Sequence, residues 1–98
     1  MKENYIQIQK LTKLSNRHSL EHLGKLFEES GELAQEVNKL VGTKATKETS
    51  EKVNKNILEE GCDTIQCVLA ILANEGHSYS DIKKELGNKN NKWLKAFK

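Results

Sequence analysis

Leu23, Leu26, Leu33, Val37 and Leu40 recur at the three- and four-residue intervals that line one face of an α-helix, with Phe27, Ala34 and Val41 beside them. A strand, whose faces alternate at every second residue, cannot carry a stripe of that period. The helix is predicted to start near Ser19, a capping residue, and to end near Gly42. The chain has no proline, 5% aromatic residues and long stretches of good helix formers, so helices rather than a sheet are expected throughout.

Tyr5, Ile8, Leu11 and Leu14 place a short helix from about Asn4 to Leu14, before the polar stretch Ser15 to His18. Gly42 to about Thr49 reads as a loop, with the next helix starting as early as Thr46. That third helix carries Val53, Ile57, Leu58, Ile65, Val68, Leu69, Ile71 and Leu72 and stops at Asn74-Glu75-Gly76. Its second half is apolar nearly all round, which predicts a central place, packed on several sides or at a subunit interface. Ser78 and Asp81 form a capping-box-like start for a last helix bearing Ile82, Leu86, Trp93, Leu94 and Phe97. Gly87 and the run Asn88 to Asn91 are predicted to interrupt it, and Trp93 and Phe97 to anchor it. The expected architecture is all-α: one four-helix domain over residues 1–98 with the second and third helices as a long antiparallel pair. A chain of 98 residues buries a smaller fraction of its surface than a larger domain does, so completion by oligomerisation is expected.

The net charge of +2 comes from 16 basic and 14 acidic residues that are largely interspersed, which demands neither a nucleic-acid nor a membrane partner. The tail differs: Lys83, Lys84, Lys89, Lys92, Lys95 and Lys98 stand against Asp81 and Glu85, a locally positive segment suited to phosphates. Cys62 and Cys67, five apart, fit neither a Cys-x-x-Cys site nor a disulfide framework and read as reduced core or near-core thiols. Met1 to Lys10 lacks the apolar stretch of a signal peptide, and no apolar run approaches the roughly 18 residues of a membrane span, so a cytoplasmic location is expected.

At about 100° per residue, Glu29, Glu32 and Glu36 fall within roughly 60° of one another beside Leu26, Leu33 and Leu40. Glu28 points some 100° away from Glu29 and is expected outside this cluster. On the third helix Glu60 and Asp63 lie beside Ile57, Thr64 and Ile71, with Asn56, Cys67 and Asn74 along the same edge, while Glu59 turns away. Antiparallel packing of the two helices would bring Glu29, Glu32, Glu60 and Asp63 together. Four facing acids are tolerable only if they take up protons or are neutralised by cations, and hard oxygen ligands favour Mg²⁺ or Mn²⁺. The Glu-x-x-His repeats of a di-iron bundle are missing, because Gln35 and Asp63 stand at those places. Mg²⁺ held by carboxylates leaves positions for phosphate oxygens, which makes a nucleoside triphosphate a sensible substrate. Lys89, Lys92 and Lys95 are the candidates to meet the leaving pyrophosphate. One Glu-x-x-Glu pair on a helix is ordinarily a solvated face; two acid pairs, each flanking an apolar stripe on consecutive long helices, point to a site. Glu36 suits a surface ion pair as well as a role near the metal. Cys67 and Asn56 suit packing or hydrogen bonding, and His18, His22 and His77 show no metal spacing with the acids.

The stretch Lys25-Leu-Phe-Glu-Glu-Ser-Gly-Glu-Leu-Ala-Gln-Glu-Val-Asn-Lys39, followed by Glu59-Glu-Gly-Cys-Asp-Thr-Ile-Gln-Cys-Val-Leu69, resembles the Glu-Glu-x-x-Glu and Glu-x-x-Asp motifs of MazG-like all-α pyrophosphohydrolases. The resemblance covers roughly Leu23 to Leu86, with Leu72-Ala-Asn-Glu-Gly76 similar to the end of that family's third helix. It implies Mg²⁺-dependent hydrolysis of nucleoside triphosphates between the α and β phosphates, usually as housecleaning of non-standard or surplus nucleotides. By position it makes Glu29, Glu32, Glu60 and Asp63 metal ligands and Glu28 a residue that orients or activates water. It also implies a homodimer or homotetramer. The tail departs from it, carrying lysines in Asn88-Lys-Asn-Asn-Lys-Trp93 where many relatives carry an arginine. Base recognition is expected from the first helix, from the segment holding His18 and His22, or from Asn74. Two other functions fit the residues: a related phosphoribosyl-ATP pyrophosphohydrolase, and a non-enzymatic helical oligomerisation or adaptor module whose acids are merely solvated.

Overall fold

The computed structural model describes residues 1–97, so Lys98 of the tail lies outside the described residues. It contains four helices: α1 (Lys2–Ser15), α2 (Ser19–Leu40), α3 (Ser50–Asn74) and α4 (Tyr79–Lys95), with no strand among the described residues. α1 ends where Asn16 turns left-handed (φ 50°) and donates its N–H to the Thr12 carbonyl; a short polar side chain tolerates that conformation.

The cap of α2 is not Ser19. His18 takes the capping position, its Nδ1 accepting the Leu20 N–H at 3.1 Å, while the Ser19 hydroxyl donates to the Glu75 carboxylate at 2.6 Å. α3 starts later than Thr46, because Thr49 is its cap and accepts the Lys52 N–H at 3.2 Å. It stops where expected, Gly76 adopting φ +84°, a conformation that strains any residue with a Cβ. The capping box of α4 is present: Ser78 Oγ accepts the Asp81 N–H at 3.1 Å and Asp81 accepts the Ser78 N–H at 3.3 Å. α4 then runs unbroken through Gly87 and Asn88 to Asn91, against the expected interruption. Glycine and asparagine lower helix propensity by about 1 kcal/mol or less each, and neither removes a backbone donor as proline does.

α2 and α3 form the long antiparallel pair. Side-chain contacts run from Glu36 and Asn56 near the connecting loop to Ser19 and Glu75 at the far end. α1 packs on α3, and α4 joins the body through its first turn. Tyr5, Leu69 and Ile82 form a core cluster backed by Ile8, Leu72 and Tyr79, so α1, α3 and α4 meet there. Tyr5 Oη donates to the His77 carbonyl at 2.6 Å and ties α1 to the α3–α4 turn. The core is small: Tyr5 and Val53 are the largest fully buried side chains. Trp93 and Phe97 do not anchor α4; they stay exposed because its second half has left the body. Cys67 is buried, whereas Cys62 is exposed in a groove that α3 shares with Asn4, Gln7 and Leu11 of α1. No helix among the described residues is long and apolar enough to cross a membrane.

A candidate carboxylate site between α2 and α3

At the loop end of the helix pair, Lys39 Nζ lies 3.1 Å from Glu36 and 2.9 Å from Glu48, and Asn56 Nδ2 donates to Glu36 at 3.0 Å and to Glu48 at 3.2 Å. This polar knot fixes the register of α2 on α3 and makes Glu36 an ion-pairing residue. Two turns further along, the same register brings Glu29 against Glu60 and Asp63.

Glu29 is 6% exposed, an unusual depth for a carboxylate. Lys25, one turn before it, holds Oε1 at 3.0 Å and reaches Glu28 at 3.6 Å. The other oxygen, Glu29 Oε2, is buried without a hydrogen-bond partner, and so is Glu60 Oε2. Oxygens of Glu29, Glu60 and Asp63 lie within 4.8 Å of one another, and so do oxygens of Glu28, Glu29 and Glu32. Glu29 belongs to both groups and joins the exposed acids of α2 to those of α3. Glu28 is therefore inside the cluster despite its 100° offset, since its flexible stem lets the carboxylate swing toward Lys25.

The two facing acids are driven apart in acidity. The hydrogen bond from Lys25 holds the Glu29 carboxyl below its usual range, against the opposing effect of burial. Removal from water, with Glu29 and Glu32 close by, pushes Glu60 up to about 7. The buried Cys67 thiol is raised by the same desolvation and by Glu29.

A cavity of about 270 Å³ opens beside Glu29 and Asp63, walled by Ile8, Leu11 and Thr12 of α1 and by Gln66 and Ala70 of α3. Arg17, His22 and Lys25 also line it, and His22 Nε2 is buried there without a partner. Of the three histidine and asparagine candidates, His22 alone borders this cavity. His18 caps α2, and Asn74 donates to the Arg17 carbonyl at 2.7 Å; both line a separate cleft with Ser19 and Glu75. Lys89 lies 3.9 Å from Glu85 and lines a groove between α3 and α4, while Lys92 and Lys95 are exposed on α4. The structure groups none of these three with the acids. The cation paired with the cluster is Lys25, legible in hindsight from its four-residue spacing to Glu29. Arg17 and the buried Thr12 carry no periodic or motif signal and were invisible without the fold.

No protein-family model, curated protein or solved structure matches the chain. The chemistry therefore rests on the geometry. Two buried carboxylate oxygens without partners, in a cluster of five acids with one paired lysine, make a site that a divalent cation would complete.

Proposed function

We propose that the chain is a Mg²⁺-dependent nucleoside triphosphate pyrophosphohydrolase of the MazG-like type, acting as a homodimer or homotetramer and serving nucleotide-pool housecleaning. The observation that carries the reading is Glu29: a carboxylate 6% exposed, with a bare buried oxygen facing Glu60 and Asp63. Glu29, Glu60 and Asp63 would hold the cation, with Glu32 completing the set from the exposed side. When bound, Mg²⁺ (or Mn²⁺) supplies charge to the phosphate oxygens and to the nucleophilic water.

The chain's own groups supply the rest. Glu28, exposed at the mouth, orients or deprotonates the attacking water. With a cation held there, Glu60 would stay ionised, because the cation's charge would offset the burial and the neighbouring Glu29 and Glu32 that push its pKa up to about 7. The cavity beside His22 takes the nucleoside end, its apolar wall from Ile8 and Leu11 excluding water from one side. Lys89, Lys92 and Lys95 remain candidates for the leaving pyrophosphate.

The test is pyrophosphate release from a panel of nucleoside and deoxynucleoside triphosphates, with Mg²⁺ and with chelator, on wild type beside Glu32→Gln. Metal-dependent release that the variant loses supports the reading. Release from phosphoribosyl-ATP alone would replace the substrate, and no release from any nucleotide would overturn the enzyme reading in favour of an adaptor.

A further inference from the structure

The link between α1 and α2 is Asn16, Arg17 and His18, and each of the three is tied down. Asn16 donates its N–H to the Thr12 carbonyl at 3.1 Å, the Arg17 carbonyl accepts from Asn74 Nδ2 at 2.7 Å, and His18 caps α2 through Nδ1. The backbone of Arg17 is thus fastened to the end of α3, although the residue is exposed. The fold makes no use of its side chain. Among the described residues the guanidinium pairs with no carboxylate: Ser19 holds Glu75 in the neighbouring cleft at 2.6 Å, and Lys25 holds Glu29 at 3.0 Å. The chain has 16 basic residues, and Arg17 is the one arginine. A lysine is a compact point charge, whereas a guanidinium presents parallel N–H donors in a rigid fork that fits two acceptors side by side.

Arg17 lines the cavity beside Glu29 and Asp63, with His22 and Lys25 between it and Glu29 along the chain. Glu29 and His22 are seven positions apart on α2, roughly 10 Å along the axis, and Arg17 lies beyond them at the head of the helix. A nucleotide whose phosphates sit at Glu29 and Asp63 therefore runs its sugar past Lys25 and His22. It turns toward Arg17 the edge of its base that is remote from the sugar. The bases differ on that edge: guanine offers two acceptors side by side, O6 and N7, whereas adenine sets an amino donor beside N7, cytosine offers an amino donor, and thymine a single acceptor beside a methyl group. A fork of donors matches guanine and meets a donor in adenine and cytosine.

We infer that Arg17 reads the base and that the substrate is a 6-oxopurine nucleotide, of the guanine or hypoxanthine type. The inference rests on the hydrolase reading for the place of the phosphates and names the substrate class that this reading leaves open. His22 Nε2, buried in the same cavity without a partner, gives the ring one further polar contact. Because the link is held by its backbone and by Asn74, the Arg17 side chain can be replaced without loosening the fold.

The experiment is calorimetric titration of the full chain, with excess Mg²⁺, by the deoxynucleoside monophosphates of guanine, hypoxanthine, adenine, cytosine and thymine, and by the 7-deaza analogue of the guanine nucleotide, on wild type and Arg17→Gln. Wild type is expected to bind the guanine and hypoxanthine nucleotides at least about ten-fold more tightly than the other three bases, and to lose most of that gain with the 7-deaza analogue, which has carbon in place of N7. Arg17→Gln is expected to bind all six with similar affinity, its circular dichroism unchanged. No preference for 6-oxopurines in wild type, a preference that survives in Arg17→Gln, or no binding of any of the six overturns the inference. Pyrophosphate release from triphosphates without a guanine preference overturns it while leaving the hydrolase standing. Guanine-selective binding that depends on Arg17, with no release from any triphosphate, supports the inference and removes the reaction.

Discussion

Lys25 Nζ stands 3.0 Å from Glu29 Oε1 across one helical turn, and the second oxygen of the same carboxylate is buried with nothing to bond it. Half of Glu29 is thus satisfied by its own helix and half is open to a ligand. Lys25→Met removes the internal cation. In chelator its melting temperature is expected to fall below that of wild type at neutral pH, and the rise produced by Mg²⁺ is expected to be larger, since the lysine no longer competes for the cluster. Thermal melts with and without Mg²⁺ check both; an equal Mg²⁺ response in the two proteins would contradict a cation at Glu29.

Glu60 and Glu29 shift in opposite directions, which sets the pH dependence of the metal-free protein. Glu60 is raised to about 7 from 4.5, so its contribution to stability is fully present below pH 4.5 and is lost as pH rises through 7. Glu29 is lowered, so its contribution is present above pH 4.5 and is lost in acid. Glu60→Gln is therefore expected to gain on wild type as pH rises from 4.5 through 7 in chelator. Parallel stability profiles over that window would refute the shift.

Asp63 is exposed, so Asp63→Asn is expected to change stability by no more than about 0.5 kcal/mol while lowering kcat by at least about a hundred-fold. Circular dichroism and the pyrophosphate assay separate the two effects. Full activity in this variant would remove Asp63 from the site.

His18 and His22 are four residues apart and do different work. His18→Ala loses the α2 cap and is expected to cost about 0.5–2 kcal/mol with the substrate ranking unchanged. His22→Ala is expected to change the order of preferred bases, because its imidazole borders the cavity beside Glu29. An unchanged ranking in His22→Ala would remove it from base recognition.

Tyr5→Phe deletes the 2.6 Å hydrogen bond to the His77 carbonyl at a side chain that is 1% exposed. The expected cost is about 1 kcal/mol or somewhat more, read as a melting temperature lower by about 4–8 °C. A loss well below that would mean that packing of the ring, and not the hydroxyl, holds α1 to the α3–α4 turn.

Helical periodicity by itself determined the four helices, the long α2–α3 pair and the placing of Glu29 on the edge of α2 that meets Glu60 and Asp63 of α3, because an α-helix converts spacing directly into direction. The capping box at Ser78 and the stop at Gly76 were legible for the same reason: each is a local contact within a few residues. Tertiary structure decided the rest. That Glu29 is the buried member, that Lys25 draws Glu28 into the cluster, and that Arg17 and His22 share a cavity with Asp63 all depend on where α1 and the helix pair dock, which one helix's period does not encode. The exposure of Trp93 and Phe97 was likewise unreadable, since an apolar side chain states what it would bury against only when a partner surface is at hand, and the second half of α4 leaves its own chain behind.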